Sequence, residues 1–141
     1  MKEVNDLQHF IKAQDRDYDT ALFEVRKGKK QSHWMWYIFP QIQGLGLSET
    51  SRFYAIKNIE EAKAYLDHPM LGKRLIEVSG ELLTLPSNDA NEIFGSPDDM
   101  KLKSSMTLFS CIEGADPIFQ GVLDKFFAGN KDDGTLRIIA L

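Results

Sequence analysis

An all-α fold, organised as one compact irregular domain of about seven to nine helices, is what the sequence predicts. Three observations predict it. Apolar residues recur at helical spacing along most of the chain; prolines, glycines and acidic residues stand where helices start and stop; and no segment shows the sustained two-residue alternation of a half-buried strand. At 141 residues the chain has the size of a single domain, so residues 1–141 are read as one helical unit.

Leu7, Phe10 and Ile11 predict a short first helix. Tyr18, Ala21, Leu22 and Val25 follow at i, i+3, i+4, i+7, one face of a second helix, with Gly28 as its stop. Trp34-Met35-Trp36-Tyr37-Ile38-Phe39 is ambiguous, since its aromatic and β-branched content suits a short strand as well as a buried helix. Asn58 with Glu61 makes a capping arrangement ahead of Ile59, Ala62 and Leu66.

Leu71, Leu75, Val78, Leu82 and Leu85 step by three and four residues between Pro69 and Pro86, the clearest helical stripe in the chain. Gly72 and Gly80 weaken that helix by up to about 1 kcal/mol each, and their small size suits the close approach of another element. Ser96-Pro97-Asp98-Asp99 reads as cap, first-turn proline and first-turn acids before Leu102, Met106 and Phe109. Asp116-Pro117 repeats the signal before Phe119, Val122, Leu123, Phe126 and Phe127, with Gly129 as the stop. Short helices are expected over 88–94 and 135–140.

Composition narrows the functional classes. Apolar residues at 43% and charged residues at 27% are ordinary globular values, which argues against disorder and against a membrane protein. The apolar run from Trp34 to Phe39 falls far short of the roughly 20 residues that span a bilayer. The stretch Met1–Asp6 lacks the apolar segment and cleavage site of a secretory signal. Cys111 is the only cysteine, so neither an intramolecular disulfide nor a cysteine-based metal cluster is expected. A cytoplasmic location follows as the expectation. The net charge of −4 weighs against a protein that covers long stretches of nucleic acid, which relies on many Lys and Arg contacts to phosphates.

Several segments, taken in order, resemble a known family. They are His33 to Gln41, Gly44-Leu45-Gly46-Leu47-Ser48, Tyr54-Ala55-Ile56, Glu61 to Leu66, His68-Pro69 with Leu71-Gly72, Phe94 to Asp99, and Lys101 with Ser105 to Phe109. Over essentially its whole length the chain is similar to the domain of unknown function 1810 family, small bacterial and fungal proteins sometimes labelled calpastatin-like. The resemblance implies a compact, mainly helical fold and tips the aromatic segment toward helix. It implies no accepted reaction and brings no catalytic residues or cofactor with it. The calpastatin label sits poorly with the chain, because the inhibitors of that name are long, disordered and repetitive.

Candidate site residues are chosen by chemistry. His33 can act as acid, base or ligand near neutral pH, although a helix-start histidine satisfied by backbone is the plainer reading. His9 and His68 are weaker candidates, His68 being explained by a turn before Pro69. With no His-x-x-x-His pair and a single cysteine, no metal site is expected. Lys101 with Ser105 could hold a phosphate or carboxylate, whereas Asp98 and Asp99 are accounted for by the helix dipole. Gln41 with Gly44-Leu45-Gly46 forms a loop whose backbone could approach an anion, and a tight turn explains the same glycines. Arg26-Lys27-Gly28-Lys29-Lys30 is the one basic run, next to the tryptophans. Basic charge beside stacking rings can hold a nucleotide, and a solvated helix end accounts for it equally.

These residues combine into one expectation: a small anionic metabolite or nucleotide bound in a polar and aromatic pocket, with its processing there as an extension of that reading. The pocket would draw on His33, Trp34, Trp36, Gln41, Ser48, Arg52, Lys101 and Ser105. Lys101 and Arg52 would provide charge, the tryptophans walls, and His33 an acid or base. The alternative is a protein-protein interaction or regulatory module without catalysis, and nucleic-acid binding ranks third. Whether the protein is an enzyme, its cofactors and its oligomeric state are left open.

Overall fold

The computed structural model describes residues 7–46 and 48–140. Met1–Asp6, read above for its lack of a signal, and Leu47, quoted in the family resemblance, lie outside the described residues, as does Leu141. Among the described residues the chain forms nine α-helices and no strand. They are α1 (Gln8–Lys27), α2 (Met35–Ile38), α3 (Glu49–Phe53), α4 (Ile59–Asp67), α5 (Leu71–Leu83), α6 (Ala90–Phe94), α7 (Asp98–Ser110), α8 (Ile118–Phe127) and α9 (Asp133–Ile139). No helix of the described residues is long and apolar enough to cross a membrane.

The two helices expected at the start are one. Neither proline nor glycine interrupts residues 12–17, and Ala13 and Gln14 extend the buried face from Phe10 to Tyr18. Gly28 ends α1 in the left-handed region, at a φ of 77°, where a side chain is disfavoured. The aromatic segment is helical and short, closing with a bond from Phe39 N–H to Met35 O at 3.1 Å. Sequence periodicity gave no sign of α3. Its signal is Ser48, whose Oγ accepts the Ser51 N–H at 3.1 Å, a cap too local for an apolar-stripe search to notice.

Asn58 caps α4 by accepting the Glu61 N–H at 2.8 Å, and Glu61 reaches back to accept the Lys57 N–H at 2.9 Å. The Asn58–Glu61 capping expected from the sequence is present, with the return bond of Glu61 made to the residue before the cap and not to the cap's own N–H. His68 starts α5 in its turn, with Nδ1 accepting N–H bonds from Met70 and Leu71. Gly72 is required by contact: a Cβ there would stand 2.0 Å from the Leu66 carbonyl oxygen, so only glycine lets the end of α4 lie on the start of α5.

The start of α7 differs from expectation. Pro97, not Ser96, occupies the capping position, and no side chain caps the helix. Asp98 and Asp99 do stand in its first turn. They meet the positive pole without help from Ser96.

α7 is central, packing against α4, α6, α8 and α9, while α5 packs against α1, α4 and α8. Phe10, Trp34, Phe39, Tyr65, Phe109 and Phe119 are the most deeply buried aromatic side chains of the core. Several meet edge to face, as Phe10 and Tyr65 do at 5.2 Å between ring centres, a favoured aromatic geometry. One isolated parallel bridge joins Ile42 to Ile56, through Ile56 N–H to Gln41 O (2.8 Å) and Gln43 N–H to Ile56 O (2.7 Å). This small tie binds the loop after α2 to the segment after α3, and it shapes the cleft described next.

Candidate functional site

Loop 40–46, α3, the start of α7 and the start of α9 enclose a cleft of about 310 Å³, at the small end of ligand-sized cavities. Each wall has a local cause. The loop supplies Gln41 through Gly46, held by the Ile42–Ile56 bridge. Gly44 has a φ of 107° and packs on Ile138 of α9, and a Cβ on Gly46 would come within 2.6 Å of Ser51. The glycines therefore serve a tight, closely packed turn.

From α2 comes Trp36, and from the α3 side come Ser51, Arg52, Tyr54 and Ala55. α7 contributes Met100, Lys101 and Ser104 behind Pro97, and Asp132 with Gly134 completes the lining. Asp132 is anchored twice: its N–H donates to Thr107 Oγ1 at 2.9 Å, and its carboxylate accepts from Thr135 N–H and Oγ1. No signal in the sequence connects Asp132 or Tyr54 to this cleft, because both arrive through tertiary packing.

Lys101 is the best-defined charge. Its Nζ lies 3.8 Å from the centre of the Trp36 ring and 3.1 Å from Asp98 Oδ1, a cation–π contact and an ion pair on one ammonium. Asp98 also pairs with Lys30 at 2.8 Å. Burial alone would raise the Asp98 pKa; Lys30 and Lys101 outweigh it and hold the carboxyl below its ordinary value. Arg52, by contrast, reaches the cleft from an exposed position with no acidic partner among the described residues.

Of the residues singled out in the sequence, Trp36, Gln41, Arg52 and Lys101 line this one cleft. The other four stand elsewhere. His33 is exposed and outside the lining, its carbonyl accepting from the Tyr37 hydroxyl at 3.1 Å. Trp34 is core, 1% exposed, with Nε1 donating to Glu24 Oε1 at 2.9 Å. Ser48 is used as the cap of α3. Ser105 faces the interior, fully buried, and its Oγ has no hydrogen-bond partner. The cleft is thus assembled without an imidazole. Among the described residues no group of three His, Cys, Asp or Glu side chains gathers as a metal site.

The fold and cleft define a class: a small, all-helical protein with a mixed aromatic and cationic surface cleft. The chain belongs to the family described as "Protein of unknown function (DUF1810)", whose model matches residues 4–139. No curated protein matches it. Among solved structures it is similar to the conserved hypothetical protein Rv1873 from Mycobacterium tuberculosis, with 43% identity and a TM-score of 0.94 over 96% of this chain and 97% of that one.

Proposed function

We propose that the protein binds a small anionic ligand bearing a flat or apolar part, in the cleft between loop 40–46, α3 and α7. The observation that carries this reading is the arrival of two cationic side chains, Arg52 from α3 and Lys101 from α7, at one concave surface walled by Trp36 and Tyr54. Arg52 suits bidentate contact with a carboxylate or phosphate. The ring system would lie along Trp36, whose other partner is the Lys101 ammonium.

Binding without chemistry is the form best supported. Of the ionisable groups in the lining, Asp132 is committed to capping α9 and Lys101 is ion-paired. What is left is positive charge and hydrogen bonding from Gln41 and Gln43, since the Ser104 hydroxyl donates to the Met100 carbonyl at 3.1 Å. Such a lining holds an anion and offers no evident base.

A thermal-shift screen against nucleotides, sugar phosphates and small carboxylates tests the proposal. A ligand at 100 times its dissociation constant adds about 2.7 kcal/mol, a rise of several degrees for a domain of this size. The shift should vanish in Arg52→Gln and shrink in Lys101→Gln. A flat screen would remove the reading. The interaction-module alternative has one observation in its favour, the exposure of Phe53 (60%) and Met100 (48%) beside the cleft; a pull-down sensitive to Met100→Ser would then be the result to seek.

A further inference from the structure

On the far side of Arg52 lies a second and larger cleft, about 530 Å³, between the first turns of α1, the end of α3 and the start of α4. Its lining holds four basic side chains, Lys12, Arg16, Arg52 and Lys57, against the single carboxylate of Glu61. The Glu61 carboxylate accepts the Lys57 backbone N–H, so its position is set by the helix cap. Arg16 is paired with Asp17 at 3.0 Å. Lys12, Arg52 and Lys57 have no acidic partner among the described residues.

Three cations without an acidic partner among the described residues, carried by α1, α3 and the segment before α4, in a concavity of a chain whose net charge is −4, form a local field that a solvated helix face does not explain. A solvated face carries mixed signs, and the acids of this chain are plentiful enough to have supplied them.

We infer that this second cleft is a binding site for a di- or triphosphate group of a small ligand. The charge is spread around the cleft, not gathered at one point, so it matches several linked anionic centres better than one carboxylate. The size fits too, since 530 Å³ is mid-range for a small-molecule site. Arg52 and Tyr54 line both clefts, so the two readings are separated by the residues each cleft holds alone: Lys12 and Lys57 here, Trp36 and Lys101 there.

The test is calorimetric titration of the full chain with inorganic pyrophosphate and tripolyphosphate at about 50 mM salt, where charge contacts are weakly screened. One site per chain is expected, with tripolyphosphate the tighter ligand. Lys12→Gln with Lys57→Gln should weaken it by about tenfold or more, and Lys101→Gln by less than about twofold. Both lysines are exposed, so the double variant should keep its helical circular dichroism. The inference is overturned if millimolar tripolyphosphate gives no binding heat, or if a control pair, Lys29→Gln with Lys73→Gln, weakens binding as much. It is also overturned if a single-stranded oligonucleotide binds through the same lysines while the inorganic anions do not.

Discussion

Two basic regions of this protein make opposite use of the same charge. Arg26 to Lys30 is contiguous in sequence and dispersed by folding: Arg26 reaches Glu81 at 3.4 Å, Lys27 lies over Phe23, and Lys30 turns inward to Asp98 and the Trp34 ring. Lys12, Arg16, Arg52 and Lys57 lie up to 45 positions apart and are brought to one cleft. In the first region three of the four charges find a partner, and Lys29 alone faces solvent without one among the described residues. In the second, folding concentrates charge and leaves most of it without an acidic partner among the described residues. A run of lysines is therefore poor evidence for a binding surface, and the absence of a run is no evidence against one.

The largest test of that contrast concerns Glu24, which holds the first region in place. It is 4% exposed and accepts from Gln31 N–H, Ser32 N–H, Ser32 Oγ and Trp34 Nε1, at 2.6 to 3.0 Å. Burial would raise its pKa, but those four donors prevail and hold it at about 2, from an ordinary 4.5. Glu24→Ala leaves four donors without an acceptor and should cost about 4 kcal/mol in urea unfolding. Because the folded pKa is depressed, the stabilisation is fully present above pH 4.5 and is lost as pH falls toward 2. It amounts to about 3 kcal/mol. The gap between wild type and Glu24→Gln should close over that window. A loss under about 1 kcal/mol in Glu24→Ala would mean the loop is held by its apolar contacts alone.

Next in size is Lys30. Its side chain is 9% exposed, and its ammonium bonds Asp98 and the Ser32 carbonyl. Lys30→Met should destabilise by about 2 kcal/mol, since it strands part of a half-buried carboxylate. Lys29→Gln, one residue away and exposed, should fall within about 0.5 kcal/mol. Similar losses in the two variants would show that the basic run acts as a diffuse patch and would erase the distinction.

The fold was legible because its determinants are local or periodic. Stripes such as Leu71 to Leu82, the Asn58 cap and the stop at Gly28 need only neighbours in sequence to be recognised, whereas α8 stops one residue before the expected Gly129, at Ala128 in the left-handed region. Part of the first cleft was legible on the same terms: Trp36, Gln41, Arg52 and Lys101 could be chosen for their chemistry, and packing places them in one lining. What escaped was pairing across the fold. Nothing near Trp34 in sequence reveals that Glu24 takes its indole N–H, and nothing near His33 reveals that it lies outside the lining of Trp36's cleft. Ser48 and Ser105 were chosen as hydroxyls, yet one is spent on a cap and the other is buried. A polar side chain's role depends on whether the fold has already given it a partner, which only tertiary structure supplies.

The smallest expected effect is the most discriminating. If Lys12 and Lys57 hold no partner, folding gathers like charges and nothing is lost when they are removed. Lys12→Gln with Lys57→Gln should therefore leave stability unchanged or raise it by up to about 0.5 kcal/mol at low salt. The gain should fade as salt rises past about 0.15 M, where screening already relieves the repulsion. Thermal unfolding of both proteins across a salt series measures this directly. In Lys30→Met the sign is reversed, because that lysine neutralises a carboxylate instead of facing other cations. A loss above about 1 kcal/mol in the double variant would show that these lysines also serve structure. The two regions would then differ in address and not in kind.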